Sequence, residues 1–218
     1  MGEAALTIMN ITVTVMAHPK RKKQAKALEI ELKKYSFMDV SITWDQVSEE
    51  WDTGVRALKA GVGRGDWHVV IQDDAILSPH FYDNLCGAIA NVPTRSLISL
   101  YTGKSRPLGK RVQTAVDKAY FATWLEFMLL MWGVGLLIPS DHIEPMLDFV
   151  KYRDEVYDTR IGIFYQRNRL PVYYTMPSLV DHDDELGSLL GHGVNPEPRV
   201  AHKVAVGLVT WNRDVISI

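Results

Sequence analysis

The hydrophobic positions of this chain repeat first with the period of a strand and then with the period of a helix. Residues 8–16 are rich in β-branched side chains and predict a strand. Residues 21–35 place apolar side chains three or four positions apart and predict an amphipathic helix. The alternation continues with strands predicted at 40–44, 67–71, 97–101 and 172–175, and helices at 49–60, 141–152 and 159–167. This order indicates an α/β sheet.

Some stretches depart from the simple alternation. Ser78 and Pro79 predict the start of a further helix, with Ser78 as its N-cap. Residues 111–139 mix glycines with apolar side chains, and we interpret them as several strands with irregular joins. Their longest uninterrupted apolar run, residues 127–138, is shorter than the ~20 residues that a membrane-spanning helix needs. We therefore expect buried core there, and a loop-rich tail from residue 177 onwards.

Composition narrows the class of protein. The chain has 218 residues, of which 47% are hydrophobic and 23% charged, as in a soluble single-domain protein and unlike a disordered chain. The net charge of −2 excludes a generally basic nucleic-acid coat. Its single cysteine, Cys86, excludes an internal disulfide and a four-cysteine zinc site. The N-terminus is a poor signal peptide, so we expect a cytoplasmic protein, in the host cytoplasm if the gene is viral.

The most informative feature is an acidic turn after the strand at 67–71. This apolar strand runs directly into Gln72, Asp73 and Asp74. Ligands of open α/β sheets bind beyond the carboxyl ends of the strands. Carboxylates at that position suit a hard divalent cation that also holds phosphate oxygens. The alternative is that the two aspartates only form a turn or cap the next helix.

The residues around this turn resemble a known family. The stretch WHVVIQDDAILSPHF resembles the strand and acidic motif of GT-A-type glycosyltransferases, and is most similar to that of glycosyltransferase family 25. The stretches VTVMAHPKR, GVGLLIP and PSLVDH resemble, in the same order, its donor loop, its acceptor-side segment and its late metal-ligand segment. Gln72 is a departure, because the family usually has Glu or Asp there.

The resemblance implies a fold and a division of the chain. It implies a single α/β domain of GT-A type, with a Rossmann-like mixed sheet flanked by helices. Residues 1–110 would form the donor-nucleotide half. Residues 111–218 would form the acceptor half and carry the late metal ligand.

The resemblance also implies roles for individual residues. Asp74 would be the main ligand of Mn²⁺ or Mg²⁺, His182 the late ligand, and Asp73 a contact to the metal or the donor sugar. The metal would neutralise the leaving nucleoside diphosphate. The remaining donor contacts would come from the first turn, the end of the second strand and the second helix, namely Ala17, His18, Pro19, Arg21, Trp44, Asp45 and Arg56. Two alternatives stay open: core packing alone for Trp44, and a solvated acidic loop for His182.

An inverting transfer also needs a base that takes the proton of the acceptor hydroxyl. Asp158 is our candidate, with Glu155 in reserve; a plain helix N-cap is the alternative interpretation of Asp158, and a retaining transfer would need no such base.

Two basic clusters lie outside the acidic turn. One is the run of lysines and arginine at residues 20–26, and the other comprises Lys104, Arg106, Lys110 and Arg111. Charge runs are usually solvated surface. The loop that carries the second cluster contains Gly103 and Gly109 as candidate hinges, so we predict that it closes over the donor or contacts the acceptor.

Together these features predict an enzyme that transfers a sugar from a nucleotide-sugar to an acceptor hydroxyl. A UDP-sugar is the expected donor. The acceptor would be a surface glycan or a modified DNA base, and the short chain suits a bacterial or phage enzyme. Two alternatives stay open. One is a metal-dependent nucleotidyltransferase, and the other is a non-catalytic module that binds a nucleotide or a glycan.

Overall fold

The computed structural model describes residues 9–104, 108–186, 189 and 198–218, and within them strands alternate with helices. In chain order the elements are β1 (Ile11–Ala17), α1 (Lys22–Leu32), β2 (Asp39–Trp44), α2 (Glu50–Lys59), β3 (Trp67–Gln72), β4 (Ala75–Leu77), α3 (Phe81–Asn91), β5 (Ile98–Ser99), α4 (Gly109–Lys118), β6 (Trp124–Phe127), β7 (Gly135–Pro139), α5 (Ser140–Val150), α6 (Tyr157–Arg167), β8 (Val172–Thr175), β9 (Val180–His182) and β10 (Val215–Ser217).

Eight of these strands form one mixed sheet, in the order β10-β6-β8-β5-β7-β3-β1-β2. β1 pairs in parallel with β2 and β3, whereas β7 runs antiparallel to its neighbours β3 and β5. The sheet continues across both halves of the chain, and helices α1, α2 and α5 pack against its strands. The predicted α/β class, the mixed sheet flanked by helices and the single domain are therefore confirmed. The division of labour between residues 1–110 and 111–218 stays a prediction.

The centre of the sheet explains where its open edge lies. Every residue of β1 is buried, as are the first five residues of β3, because helices cover both faces of these strands. In the parallel pairs, Ala17 lies opposite Trp44 and Met16 lies opposite Gln72. The carboxyl ends of β1, β2 and β3 therefore reach the same edge of the sheet, where the chain continues into His18, Asp45 and Asp73.

A separate two-stranded sheet joins a late segment to this edge. β4, which follows the acidic turn, pairs antiparallel with β9, and Ala75 lies opposite His182. The backbone N–H of Asp183 donates to the carbonyl of Asp74 at 2.8 Å. The predicted loop-rich tail thus contains two strands, β9 and β10, and β9 lies beside the acidic turn.

The predicted helix starts differ from the structure in two places. Ser78 is not a helix cap: its N–H donates to the carbonyl of Leu179, and α3 begins at Phe81. Asp141 does not form a capping box, because its carboxylate accepts two hydrogen bonds from Arg95, at 2.6 and 2.8 Å. In both cases, contacts with distant residues override a local sequence signal.

The interpretation of residues 111–139 as strands is correct only for its later part. Residues 109–118 form the helix α4, which buries Val112 and Ala115 three positions apart, while strands β6 and β7 follow. None of the described helices has both the length and the apolar character needed to cross a membrane.

A fully buried histidine connects β3 to its neighbours. The Nε2–H of His68 donates to the carbonyl of Ala57 at 2.9 Å, and its Nδ1 accepts from the hydroxyl of Thr12 at 2.8 Å. Gly61 leaves room for the ring, since a Cβ at that position would lie 2.2 Å from the Cγ of His68. Burial lowers the pKa of His68 to about 4. The neutral ring is therefore part of the fold.

The first testable prediction concerns the pH dependence of stability. Because the folded pKa of His68 lies below its unfolded value of ~6.5, protonation favours the unfolded chain, and stability falls as the pH drops from about 7 towards 4. Between pH 7 and 5 this group should cost about 2 kcal/mol of unfolding free energy. Urea denaturation at pH 7 and pH 5 should show this decrease of the unfolding free energy in the wild type and not in His68→Gln. An equal difference between the two proteins at both pH values would contradict the assignment.

Candidate functional site

A cavity of about 300 Å³ lies where β1, β2 and β3 end. It brings together seven of the predicted site residues: Ala17, His18, Arg21, Asp45, Asp73, Asp74 and His182. The other lining residues described are Met16, Lys20, Ser48, Glu50, Thr53, Gln72, Leu189 and Arg199. The cavity therefore combines carboxylates with cationic side chains at one edge of the sheet.

A buried pair of carboxylates and one arginine form the floor of this cavity. The Nη1 of Arg21 donates to Asp73 Oδ1 at 2.9 Å and to Asp74 Oδ2 at 2.6 Å. The side chains of Asp73, Asp74 and Arg21 are only 6%, 7% and 9% exposed. One guanidinium nitrogen therefore bridges two adjacent acids that have almost no access to water.

The turn after β1 positions this arginine. The backbone N–H of His18 donates to Asp73 Oδ2 at 2.7 Å, which ties the turn to the end of β3. His18 Nδ1 accepts from the N–H of Lys20 at 3.1 Å and so caps the short 3₁₀ helix Pro19–Arg21. Proline at the first helical position has a backbone angle already suited to the helix. Pro19 thus acts on the backbone, and the cavity lining does not include it.

His182 completes the acid cluster from β9. Its Nε2 lies 3.3 Å from Asp74 Oδ2, and the side chain is 6% exposed. Asp74 Oδ1 and His182 Nδ1 are both buried and have no hydrogen-bond partner among the described residues. A buried polar atom without a partner is costly, so each of these two atoms suits an additional ligand.

These two atoms test whether the predicted metal fits. A carboxylate oxygen and an imidazole nitrogen are both ligands of Mn²⁺ and similar divalent ions. The described residues contain no group of three or more acidic, histidine or cysteine side chains that could hold a metal ion. The donor set therefore fits an ion that takes two protein ligands and further oxygens from a phosphate group and water.

The electrostatics of the cluster keep Asp74 ionised. Burial raises the pKa of Asp74, but His182 and Arg21 oppose this more strongly, so the pKa of Asp74 lies below its usual value. For Asp73, burial outweighs the hydrogen bonds from His18 and Arg21, and its pKa is raised. Burial would lower the pKa of Arg21, but the two carboxylates raise it overall. Arg21 therefore stays a cation.

The cavity lining includes two more carboxylates, Asp45 and Glu50. Asp45 Oδ1 accepts from the N–H groups of Val47 and Ser48, at 3.1 and 2.9 Å. Glu50 lies in the first turn of α2, and burial, aided by the charge of Asp158, raises its pKa to about 6. Sequence reasoning missed Glu50 as a site residue. Its position just after β2 was a signal, but acids are common in first helical turns.

Arg199 was also missed. It lines the cavity from the tail of the chain, and its Nε lies 3.3 Å from Asp184 Oδ1. Nothing in the local sequence distinguishes it, because it reaches the site only through the path of the late segment.

Besides Pro19, three residues predicted to contact the donor or act as the base lie outside the cavity lining. The guanidinium of Arg56 is bound to Asp52 Oδ2 and to the carbonyl of Trp44, at 2.8–2.9 Å, and so ties α2 to the end of β2. Trp44 is half-buried and packs against the core. Asp158 lies in the first turn of α6, where its Oδ1 accepts from the N–H of Thr159 at 2.7 Å. Asp158 nevertheless lies close enough to Glu50 to raise its pKa.

The predicted mobile loop is wrong for two of its four residues. Lys110 and Arg111 lie in helix α4. Arg111 Nη2 donates to the carbonyl of Ile218 at 2.7 Å, and its guanidinium lies over the ring of Phe127. The N–H of Lys104 donates to the carbonyl of Val200. Arg106 lies outside the described residues, and the other three are absent from the cavity lining.

Comparisons with known proteins give distant structural similarity only. No protein-family model matches the chain, and no curated sequence matches it. A Drosophila β1,4-galactosyltransferase 7 variant, crystallised with manganese, UDP-galactose and xylobiose, has 8% identity and a TM-score of 0.48, over 89% of this chain and 71% of the other. A glycosyltransferase involved in glycosylation of the major capsid of PBCV-1 has 14% identity and a TM-score of 0.40, over 76% and 79%. At such values, function must be inferred from this chain's own contacts.

The raised pKa of Glu50 yields a second prediction. The folded pKa lies above the unfolded value of ~4.5, so the fold loses stability as the pH rises from about 4.5 to 6. Glu50→Gln should therefore be more stable than the wild type at pH 7.5, by roughly 2 kcal/mol, with most of this gain absent at pH 4.5. Glu49→Gln is the matched control, because the Glu49 side chain is exposed and makes no capping bond. Thermal unfolding at both pH values measures the effect; no gain at pH 7.5 would contradict it.

Proposed function

We propose that this chain is a GT-A-type glycosyltransferase that transfers a sugar from a nucleotide-sugar to an acceptor hydroxyl. The observation that carries the proposal is the composition of the cavity at the ends of β1, β2 and β3. An acid cluster suited to a divalent cation lies there beside Lys20 and Arg21, which suit a diphosphate. A site that holds both groups matches the charge of a nucleotide-sugar donor.

Asp74 and His182 would hold Mn²⁺ or Mg²⁺; each has a buried atom without a partner among the described residues, Asp74 Oδ1 and His182 Nδ1. When bound, the ion would supply positive charge to the diphosphate as it leaves. Asp73 has a different part, because both of its oxygens already accept hydrogen bonds, one from His18 and one from Arg21. Asp73 would hold the turn after β1 in place and thereby position the donor.

The donor would lie along the cavity from the acid cluster to Asp45. His18, Lys20 and Arg21 would contact its diphosphate through their side chains, since cationic and imidazole N–H groups bind phosphate oxygens. Asp45 would accept a hydrogen bond from a ribose hydroxyl through its Oδ2, which faces His18 Nε2 at 3.7 Å. UDP-sugars are the first donors to test, in keeping with the family 25 resemblance.

Asp158 is the proposed base. The acceptor hydroxyl would pass its proton to the Asp158 carboxylate while its oxygen bonds to the anomeric carbon of the donor sugar. The bond from that carbon to the diphosphate oxygen would break, and its electron pair would leave with the diphosphate. The position of Asp158 beside Glu50, which lines the cavity, supports this assignment.

A surface glycan is the proposed acceptor. A hydroxyl on a modified DNA base is the second candidate, because Lys20, Lys22 and Lys23 are exposed at the start of α1, next to the cavity. Such lysines could contact the phosphates of a duplex.

The third prediction tests the donor site. In thermal unfolding, a UDP-sugar with Mn²⁺ at about 100 times its Kd should stabilise the wild type by ~2.7 kcal/mol, or roughly 5–10 °C. Asp74→Asn should lose the Mn²⁺-dependent part of this gain. Asp141→Asn is the matched control, because Asp141 also pairs with an arginine but lies outside the cavity.

Each alternative has its own outcome in this experiment. A nucleotidyltransferase would be stabilised by nucleoside triphosphates and would release pyrophosphate. A non-catalytic binding module would bind without turnover and would keep its affinity in Asp74→Asn. No stabilisation by any nucleotide or nucleotide-sugar would contradict the proposed function.

The fourth prediction tests the base. Asp158→Asn should lower kcat for sugar transfer by about 10²–10⁴-fold and leave donor affinity unchanged, because proton transfer is lost and donor contacts are kept. Asp154→Asn is the matched control from the exposed segment before α6. Initial rates of sugar transfer give kcat, and calorimetric titration with UDP measures the affinity of the donor site. An unchanged kcat in Asp158→Asn would exclude the assignment.

A further inference from the structure

Arg21 occupies the place of a cation within the acid cluster. Its guanidinium bridges the carboxylates of Asp73 and Asp74, and the three side chains are almost fully buried. We propose that Arg21 is a resident counter-ion that competes with a divalent cation for this acid pair, so that the protein binds the cation tightly only when a diphosphate takes over the guanidinium. This inference rests on the proposed function for the site's ligands.

The charge balance of the cluster supports this competition. Two carboxylates and one guanidinium leave a net charge of −1, whereas a divalent ion and Arg21 together would give +1 in a site with little access to water. Like charges in such a site repel strongly, because the effective dielectric constant is low. A diphosphate carries at least two negative charges and would restore the balance.

The contacts of the two carboxylate oxygens of Asp74 also support the competition. Arg21 and His182 both lie against Asp74 Oδ2, at 2.6 and 3.3 Å, so this oxygen is already engaged. Asp74 Oδ1 is the buried oxygen without a partner among the described residues. A cation bound there would share one carboxylate with the guanidinium. Arg21 need not leave Oδ2 for this, but the repulsion between the two cations would weaken its bond to Asp74 and favour its shift.

The cavity provides a place for the shifted guanidinium. Arg21 lines the same cavity that would hold the diphosphate, together with Lys20 and Arg199. The planar guanidinium can bond phosphate oxygens through two N–H groups, as it bonds carboxylates. Moving from Asp74 to a phosphate oxygen would thus exchange one charge-assisted hydrogen bond for another.

This exchange couples the two ligands. A cation at Asp74 Oδ1 repels Arg21 towards a diphosphate, and a diphosphate that binds Arg21 takes away the guanidinium charge that opposes the cation. By linkage, each ligand raises the affinity for the other by the same factor. Arg21 would therefore set the requirement that cation and donor bind together.

The decisive experiment uses Mn²⁺ alone, followed by electron paramagnetic resonance of the free ion. Arg21→Gln should bind Mn²⁺ at least tenfold more tightly than the wild type, equivalent to ~1.4 kcal/mol, because the acid pair loses its counter-ion. Arg95→Gln is the matched control: it removes an arginine paired with Asp141 at the surface and should leave Mn²⁺ affinity unchanged. The double variant Arg21→Gln, Asp74→Asn should lose the gain.

A second measurement protects the test against a variant that folds poorly. In the wild type, the Arg21 guanidinium resonance, assigned by its loss in Arg21→Lys, should shift when Mg²⁺ and UDP are added together, and much less with Mg²⁺ alone. Equal or weaker Mn²⁺ binding in Arg21→Gln would overturn the proposal, as would a guanidinium signal that both ligands leave unchanged. If Arg21→Gln gains Mn²⁺ affinity but the wild type transfers no sugar from any nucleotide-sugar, only the proposed function is contradicted.

Discussion

Compensation of two adjacent buried carboxylates is the constraint on which the site depends. Removing an ionised carboxylate from water costs several kcal/mol unless charges and hydrogen bonds replace the lost hydration. Asp73 and Asp74 obtain this replacement from separate parts of the chain: Arg21 and the N–H of His18 from the turn after β1, and His182 from β9. The acid pair therefore fixes the turn, the end of β3 and the late segment relative to one another.

The topology of the sheet makes this convergence possible. Parallel pairing of β1 with β2 and β3 aligns three carboxyl ends, and the short β4–β9 sheet brings the late segment to the same edge. The cavity that results is lined by Asp73 and Asp74 after β3, by Asp45 after β2 and by Glu50 from α2. Burying Glu50 opposes its ionisation. A carboxylate kept at a cost to stability is typical of a functional position, because selection preserves activity at the expense of the fold.

The sequence contained the centre of this site but not its surroundings. β3 and β8 were predictable because apolar strands between polar turns have a strong local signal, and the acidic turn follows from its position after β3. The proximity of His182 to Asp74 depends on pairing between distant segments, so only the family resemblance suggested it. Helix α4 was missed because Val112 and Ala115 give it a narrow apolar face. Glu50 could not be ranked above other acids without knowing its burial. The i, i+4 spacing of Asp52 and Arg56 indicates an ion pair, but the bond from Arg56 to the Trp44 carbonyl depends on how α2 packs against β2.

The same interdependence determines how substitutions in this site must be interpreted. Removing Asp74 leaves Arg21 with one carboxylate partner fewer, and removing Arg21 leaves two buried acids facing each other, so neither change reports on one interaction alone. Residues in one charge network have energies that do not add, and the coupling can reach a few kcal/mol. The sign of that coupling carries information here. If Arg21 only stabilised the acid pair, removing Arg21 would weaken cation binding. If Arg21 is a counter-ion that competes with the cation, removing it strengthens cation binding. The direction of the change in cation affinity therefore distinguishes the two roles of Arg21, and the energy of the cluster need not be divided among its members.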